Sequence, residues 1–115
     1  MNPSHPPARI AKVTGIYRWV DDARFDHAYY ETTHAALTTE LLAPLGLLRF
    51  ECDRTVGPGA RQAGDVVATS NAYFPSVEAA GKALVAAGAR LAADIPNYTS
   101  LRPVLHLSEV VVHEV

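Results

Sequence analysis

His34 lies inside FDHAYYETTHAALTTELL, the stretch from Phe25 to Leu42, and at 100° per residue it shares one narrow stripe with Tyr30, Leu37 and Leu41. An imidazole that points the same way as core-facing residues has two readings. It is either an acid or base for a ligand held beside it, or a buried histidine whose ring nitrogens are satisfied by Tyr30 or a backbone carbonyl. The chemistry it would do is positioned proton transfer, worth about 10²- to 10⁴-fold in rate. Tyr30 stands one turn before His34, where it either orients the ring or fills the helix entry, while Tyr29 projects about 100° away.

Other combinations carry less. His27, Glu31 and His34 fall at i, i+4 and i+7, and Glu31 with His34 makes a Glu-x-x-His step of the kind that ligates iron. A di-iron site needs two such steps and further carboxylates on a four-helix bundle, so a solvated His27 and Glu31 are the preferred reading and no metal is expected. His106 and His113 add no ligand spacing, and His5 is read as solvated. Cys52 falls on the apolar side of its strand and reads as an inert core thiol. No Ser-His-Asp order or dinucleotide fingerprint is present, and GPGARQAG, from Gly57 to Gly64, lacks the strand-to-helix setting of a phosphate loop. No cofactor is expected.

These residues need a scaffold, and the chain is long enough to build one. A chain of 115 residues buries about two thirds of its unfolded surface. It is 49% hydrophobic with no apolar run near the ~20 residues that cross a bilayer, which predicts a soluble single domain over 10–115 and no membrane partner. Residues 1–9 read as an extended, proline-rich tail. A net charge of −2 with scattered Lys and Arg disfavours nucleic acid, and a single cysteine leaves the cytoplasm as the expected location.

The elements follow in order. Ile10–Val20 alternates, with Ala11, Val13, Gly15, Tyr17 and Trp19 on one face, and reads as a first strand. Asp26 is an N-cap and Phe25 with Tyr30 a hydrophobic staple for the helix that Pro44 and Gly46 end. Leu47–Val56 gives a second strand, with Leu48, Phe50 and Cys52 on its buried side, and Asp65–Phe74 a third. Ser76 caps a second helix that carries Val77, Ala80, Leu84, Gly88 and Leu91 on one stripe. Its Gly81 and Gly88 are expected to let the backbone approach a neighbour closely. Pro96 is expected to hold Ile95 extended and so end this helix, Ile95–Arg102 is a loop, and Pro103–Val112 is the fourth strand.

This order predicts an α+β, ferredoxin-like βαββαβ fold: a four-stranded antiparallel sheet with two helices on one face. Partly apolar residues on both strand faces imply that a second subunit covers the open face, giving a homodimer.

Taken together the residues resemble the EthD family, small proteins of the dimeric α+β barrel superfamily. The resemblance rests on Arg24-Phe25-Asp26 with Tyr29-Tyr30 and His34, and on Asp94-Ile95-Pro96-Asn97-Tyr98-Thr99 leading into Pro103-Val104 and Ser108-Glu109-Val110. It covers Val13 to about Val112. It implies a dimeric α+β barrel in which two sheets pack face to face, with a ligand cavity between sheet and helices in each monomer. The superfamily includes cofactor-free monooxygenases, polyketide cyclases, muconolactone isomerases and decarboxylases or dehydratases of aromatic polyketides, and EthD itself is named for an accessory part in degrading a fuel ether. A fold shared this widely does not fix a reaction. Members often carry a proline two residues after the helix histidine. Here that position is Ala36, so the helix is expected to run on without a kink, and Trp19 is expected to narrow the cavity mouth.

The resulting expectation is a cofactor-independent enzyme of cyclase, isomerase, decarboxylase or monooxygenase type, acting on a small hydrophobic or aromatic ligand. His34 would be the acid or base and Tyr30 its partner, with Tyr17, Trp19, Asn97 and Tyr98 binding substrate. The alternative is a non-catalytic binding or accessory protein that uses the same pocket. A structural dimer remains open if Tyr17, Trp19 and Phe50 fill the space under the helices.

Overall fold

The structure, a computed structural model, describes residues 8–115. The expected tail therefore lies, for residues 1–7 and His5 with them, outside the described residues. Strand β1 (Ala8–Arg18) begins two residues earlier than the alternation indicated, and it is followed by β2 (Arg49–Arg54), β3 (Val66–Phe74) and β4 (Val104–Val112). The strands pair antiparallel in the order β2-β3-β1-β4, which is the ferredoxin-like arrangement, the unit of the dimeric α+β barrel class.

Register decides what faces the core, because directly opposed residues of antiparallel strands share a face. Val13 stands opposite Ala72 and Leu107, and Ala72 opposite Phe50, so one row of apolar residues crosses the sheet. Lys12, Tyr73 and Arg49 form a row on the other face, as do Thr14, Asn71 and Glu51. Ala11, Val13, Ala72 and Phe74 pack with Leu42 of the first helix and Ala80, Ala83 and Ala87 of the second, so both helices cover the same face. Leu48 precedes β2 and stays exposed, whereas Phe50 and Cys52 turn inward as their alternation requires.

The first helix, α1, spans residues 27–42 and is not a uniform α-helix. It is α-helical over His27–Tyr29, π-helical over Tyr30–His34 and α-helical again over Ala35–Leu42. Its start matches the sequence pattern: Asp26 Oδ1 accepts from the Tyr29 N–H at 3.0 Å, and the Phe25 and Tyr30 rings lie 5.1 Å apart. Inside the π turn the Ala35 N–H reaches back to the Tyr30 carbonyl, and Thr32 Oγ1 donates to the Ala28 carbonyl at 2.6 Å. One extra residue is thereby taken up. The stripe expected at Tyr30, His34, Leu37 and Leu41 is consequently displaced to Tyr30, His34, Thr38 and Leu42, and Leu37 and Leu41 are only half-buried. The kink-free helix expected from Ala36 is replaced by this local unwinding just before it. Pro44 sits in a short 3₁₀ turn and Gly46 takes φ 99°, ending the element as expected.

Helix α2 (Val77–Asp94) is capped by Ser76, whose hydroxyl accepts from the Ala79 N–H at 3.1 Å. It meets the core through Ala80, Ala83 and Ala87, with Leu84, Gly88 and Leu91 beside them on the cavity wall; Val77 is exposed. A side chain at Gly81 or Gly88 would meet nothing within 4 Å, so these glycines do not serve the close approach expected of them. Close approach occurs instead at Gly15, where an added Cβ would stand 2.7 Å from Ser70 Oγ. Gly81→Ala is accordingly expected to raise stability by about 0.5–1 kcal/mol, the difference in helix propensity, checked by urea unfolding. Among the described residues no helix is long and apolar enough to cross a membrane.

Candidate functional site

The entry of α1 is stitched to the segment that follows α2. Phe25 bridges Thr99, the Asp26 N–H donates to the Tyr98 carbonyl at 2.7 Å, and the Arg24 carbonyl accepts from Thr99 Oγ1 at 2.7 Å and from the Ser100 N–H at 3.1 Å. Arg24 Nη2 reaches the Pro96 carbonyl at 2.8 Å. Two stretches some seventy residues apart in sequence are thus held side by side. That seam places Asp94, the last residue of α2, against His34 in the π turn of α1.

His34 Nδ1 lies 2.8 Å from Asp94 Oδ2, and both side chains are nearly buried. Asp94 Oδ1 accepts from Tyr29 Oη at 2.7 Å and from Asn97 Nδ2 at 2.9 Å. Burial by itself would raise the Asp94 pKa, but the hydrogen bonds from Asn97, His34 and Tyr29 outweigh it and hold the carboxyl below its ordinary value of 3.8. An ionised Asp94 only accepts, so His34 Nδ1 must carry the hydrogen and the lone pair of the neutral ring lies on Nε2. A depressed folded-state pKa means that the carboxylate's contribution to stability is in place above the unfolded value and is lost as pH falls through the folded one.

Nε2 faces Tyr98 Oη at 3.4 Å, and Tyr98 Oη is in turn hydrogen-bonded to Tyr17 Oη. Tyr98 is fully buried and lies behind the cavity wall, whereas Tyr17 and His34 are both part of that wall. Burial pushes the Tyr17 phenol up to about 12 and raises Tyr98 further, so both stay protonated across the neutral range. The cavity encloses about 260 Å³ between the sheet and the helices, its walls built by apolar residues such as Leu42, Phe50, Phe74 and Leu91. Its polar side chains are Tyr17, His34, Thr38 and Ser70, and Thr38 Oγ1 is already spent on the His34 carbonyl at 2.8 Å.

The remaining residues singled out from sequence occupy different places. Tyr30 is buried and stacks on the His34 ring, with centroids 5.8 Å apart and planes 15° apart, so it orients the imidazole by its face and not by its hydroxyl, which has no partner among the described residues. Asn97 is exposed and faces Asp94, away from the cavity. Trp19 leaves the sheet after a register slip between Tyr17 and Arg18 and lies under the Arg61 guanidinium at 4.6 Å, where it does not narrow the cavity. The space under the helices is therefore open and not filled by Tyr17, Trp19 and Phe50. Glu31 is exposed as expected, but His27 is not solvated: its ring packs on Phe25 with centroids 4.5 Å apart and its Nδ1 is buried without a partner among the described residues, where no three His, Cys, Asp or Glu side chains gather as a metal site would. The Cys52 thiol, half-buried, is pushed up to about 11 by burial and is unreactive.

Asp94 is the residue that sequence reasoning passed over, as the end of a helix. A signal was present: an acidic residue in the last turn opposes the helix macrodipole by about 0.3–1 kcal/mol, so it needs partners of its own.

No protein-family model matches the chain, and no curated protein matches it. Solved structures do. An ethyl tert-butyl ether D (EthD) family protein from Bacillus halodurans C-125 aligns with a TM-score of 0.58 at 20% identity, over 86% of this chain and 96% of that one. SnoaB, a cofactor-independent oxygenase from Streptomyces nogalater, aligns at 0.57 with 14% identity, over 94% and 96%. At those identities the likeness is one of fold. An EthD-like protein from Ralstonia eutropha JMP134 is more similar, with a TM-score of 0.77 and 32% identity over 91% of this chain and 95% of that one. With a third of the residues shared along nearly the full length of both chains, and the seam of α1 and the α2 terminus in place, the protein belongs to the EthD family.

Proposed function

We propose that the protein is a cofactor-independent enzyme that moves a proton on a small hydrophobic or aromatic compound, with His34 as the acid or base. The observation that carries this reading is an imidazole on an apolar cavity wall whose Nδ1 is held by an ionised carboxylate, leaving the lone pair on Nε2. Asp94 fixes the tautomer and stabilises the imidazolium that forms, Tyr30 fixes the ring plane, and Tyr29 and Asn97 keep the carboxylate in place. The apolar walls exclude water and strengthen each of these electrostatic contacts.

The test uses an enolisable probe of the right size. Deuterium uptake from D₂O into β-tetralone is expected to be catalysed by the native protein and to fall by about 10²- to 10⁴-fold in His34→Gln, with circular dichroism unchanged. An unaltered rate in a folded His34→Gln protein removes the proposed role.

A second reading is a non-catalytic carrier of apolar ligands, and one observation favours it: both His34 ring nitrogens already have partners, at 2.8 and 3.4 Å. A carrier would bind β-tetralone with no exchange above background.

The proposed enzyme is a homodimer through the open sheet face. Ile10 opposite Val110 and Ile16 opposite Val104 put apolar side chains on the face away from the helices, among the polar rows of Lys12 and Thr14. Native mass spectrometry at micromolar concentration is expected to show the dimer, and a purely monomeric spectrum contradicts it.

A further inference from the structure

We infer that Tyr17 and Tyr98 relay protons between the cavity and His34, and that the relay selects a neutral, fused-ring ligand bearing a hydroxyl, a phenol or an enol, docked on Tyr17. The inference rests on the reading of His34 as proton acceptor and adds to it the residue that touches the ligand and the group that residue recognises.

The direction of the hydrogen bonds carries the argument. Asp94 is ionised, so His34 Nδ1 donates to it; in a neutral imidazole Nε2 then has only a lone pair, and Tyr98 Oη must donate to it. With its own hydrogen committed, Tyr98 Oη accepts from Tyr17 Oη. Tyr17 has therefore spent its hydrogen as well, and what it offers the cavity is an oxygen with a free lone pair. At Tyr17 the cavity therefore offers an acceptor, and the ligand group that satisfies it is an O–H donor. A ketone or an ether presents only lone pairs to lone pairs and gains nothing there.

Proton transfer along this chain balances without any co-reactant. The ligand O–H proton passes to Tyr17 Oη, the Tyr17 proton to Tyr98 Oη, and the Tyr98 proton to His34 Nε2. The ligand is left as an oxyanion and His34 as an imidazolium paired with Asp94. No electron changes hands. Every hydrogen bond between His34 and the cavity is now reversed, so Tyr17 donates to the oxyanion it has just produced and holds it. The same reversal returns the proton in the second half of a reaction. Tyr98, buried and absent from the cavity wall, is a positioning and relay residue, while Tyr17 is the group in contact with the ligand.

Size and charge narrow the ligand. A dry cavity of about 150 Å³ accepts benzene, so 260 Å³ corresponds to about two fused rings. The wall carries no Lys, Arg, Asp or Glu, so a carboxylate or phosphate set against it would be left without a charged partner, at a cost that favours a neutral ligand.

The experiment compares β-naphthol, its methyl ether and β-tetralone by isothermal titration calorimetry on the native protein. β-Naphthol is expected to bind about tenfold more tightly than either of the other two, the value of one well-made hydrogen bond. In Tyr17→Phe and in Tyr98→Phe the preference is expected to vanish: the first has no oxygen, and in the second the Tyr17 hydrogen is free to turn to the ligand. Equal affinities in the native protein overturn the inference without reference to any variant, as does a preference retained in either folded variant, or no binding of all three. Because the readout is binding, it is separable from catalysis: exchange into β-tetralone lost in His34→Gln with no hydroxyl preference in the native protein sinks the relay and leaves the enzyme reading standing, while a hydroxyl preference with no exchange above background keeps Tyr17 as the acceptor of the ligand hydroxyl and sinks the enzyme reading together with proton transfer to His34.

Discussion

Asp94→Asn is expected to lower the rate of exchange into β-tetralone by about 10²- to 10⁴-fold while the protein stays folded, since a carboxylate that fixes an imidazole tautomer is worth that much. The surroundings dictate how asparagine would sit. Asp94 Oδ1 takes hydrogen bonds from Tyr29 Oη and Asn97 Nδ2, so the asparagine carbonyl oxygen belongs on that side and its NH₂ points at His34. Nδ1 must then accept, the hydrogen moves to Nε2, and the free base that faced Tyr98 is gone. Asp94→Ala removes the constraint without imposing the opposite tautomer, and is expected to lose less activity than Asp94→Asn. The order of the two variants is the diagnostic, because a purely structural aspartate would be hurt more by alanine, which leaves Tyr29 and Asn97 without an acceptor. In the native protein the hydrogen-bonded carboxyl stays ionised below its ordinary 3.8, so the His34 pairing is expected to survive mild acid and to be lost only as pH falls through the lowered value.

Deleting Thr33 is expected to leave thermal stability within a few degrees of the parent and to cost about 10²-fold in rate. The buried stripe of α1 is Tyr30, His34, Thr38 and Leu42, and removal of one residue from the π turn restores these to i, i+3, i+7 and i+11 of a regular helix. Thr33 is exposed, so no core contact leaves with it. The stripe survives, and the deletion exchanges a rare turn for a regular one. What changes is the position of the imidazole relative to Asp94, since His34 sits at the end of the π segment and a displacement near 1 Å breaks a 2.8 Å hydrogen bond. Calorimetry and the exchange assay together check it. A deletion variant that is both stable and fully active shows the π turn to be incidental, and one that unfolds shows it to be part of the packing.

The fold was legible because its signals are local. Alternation in β1 and β3, the Asp26 and Ser76 caps and the Phe25–Tyr30 staple each depend on a few neighbouring residues, and each is where the pattern placed it. The π turn was not legible, because an extra residue in a helix leaves the composition unchanged and merely shifts the phase; Leu37 and Leu41 satisfied the α-helical period as well as Thr38 and Leu42 satisfy the observed one. The site was half legible. His34, Tyr30, Tyr17 and Tyr98 do gather, but Asn97 serves Asp94 and Trp19 serves Arg61, since each points where a turn or a bulge aims it and strand alternation does not reach that far. Asp94 was hidden by distance: its partner is sixty positions away in the chain and they meet only through the seam between Arg24–Asp26 and Tyr98–Ser100.

The most direct test of the central claim, that Asp94 and the tyrosines set His34 up as a base with its lone pair on Nε2 toward Tyr98, is the tautomer of that one ring. Long-range ¹H–¹⁵N correlation spectroscopy of histidine-labelled protein, recorded on the neutral ring, reads it without a substrate. The hydrogen is expected on Nδ1, with Nε2 showing the shift of a bare, hydrogen-bonded nitrogen. A hydrogen on Nε2 would mean that Asp94 does not hold the ring as described, and would contradict both the proposed chemistry and the relay built on it.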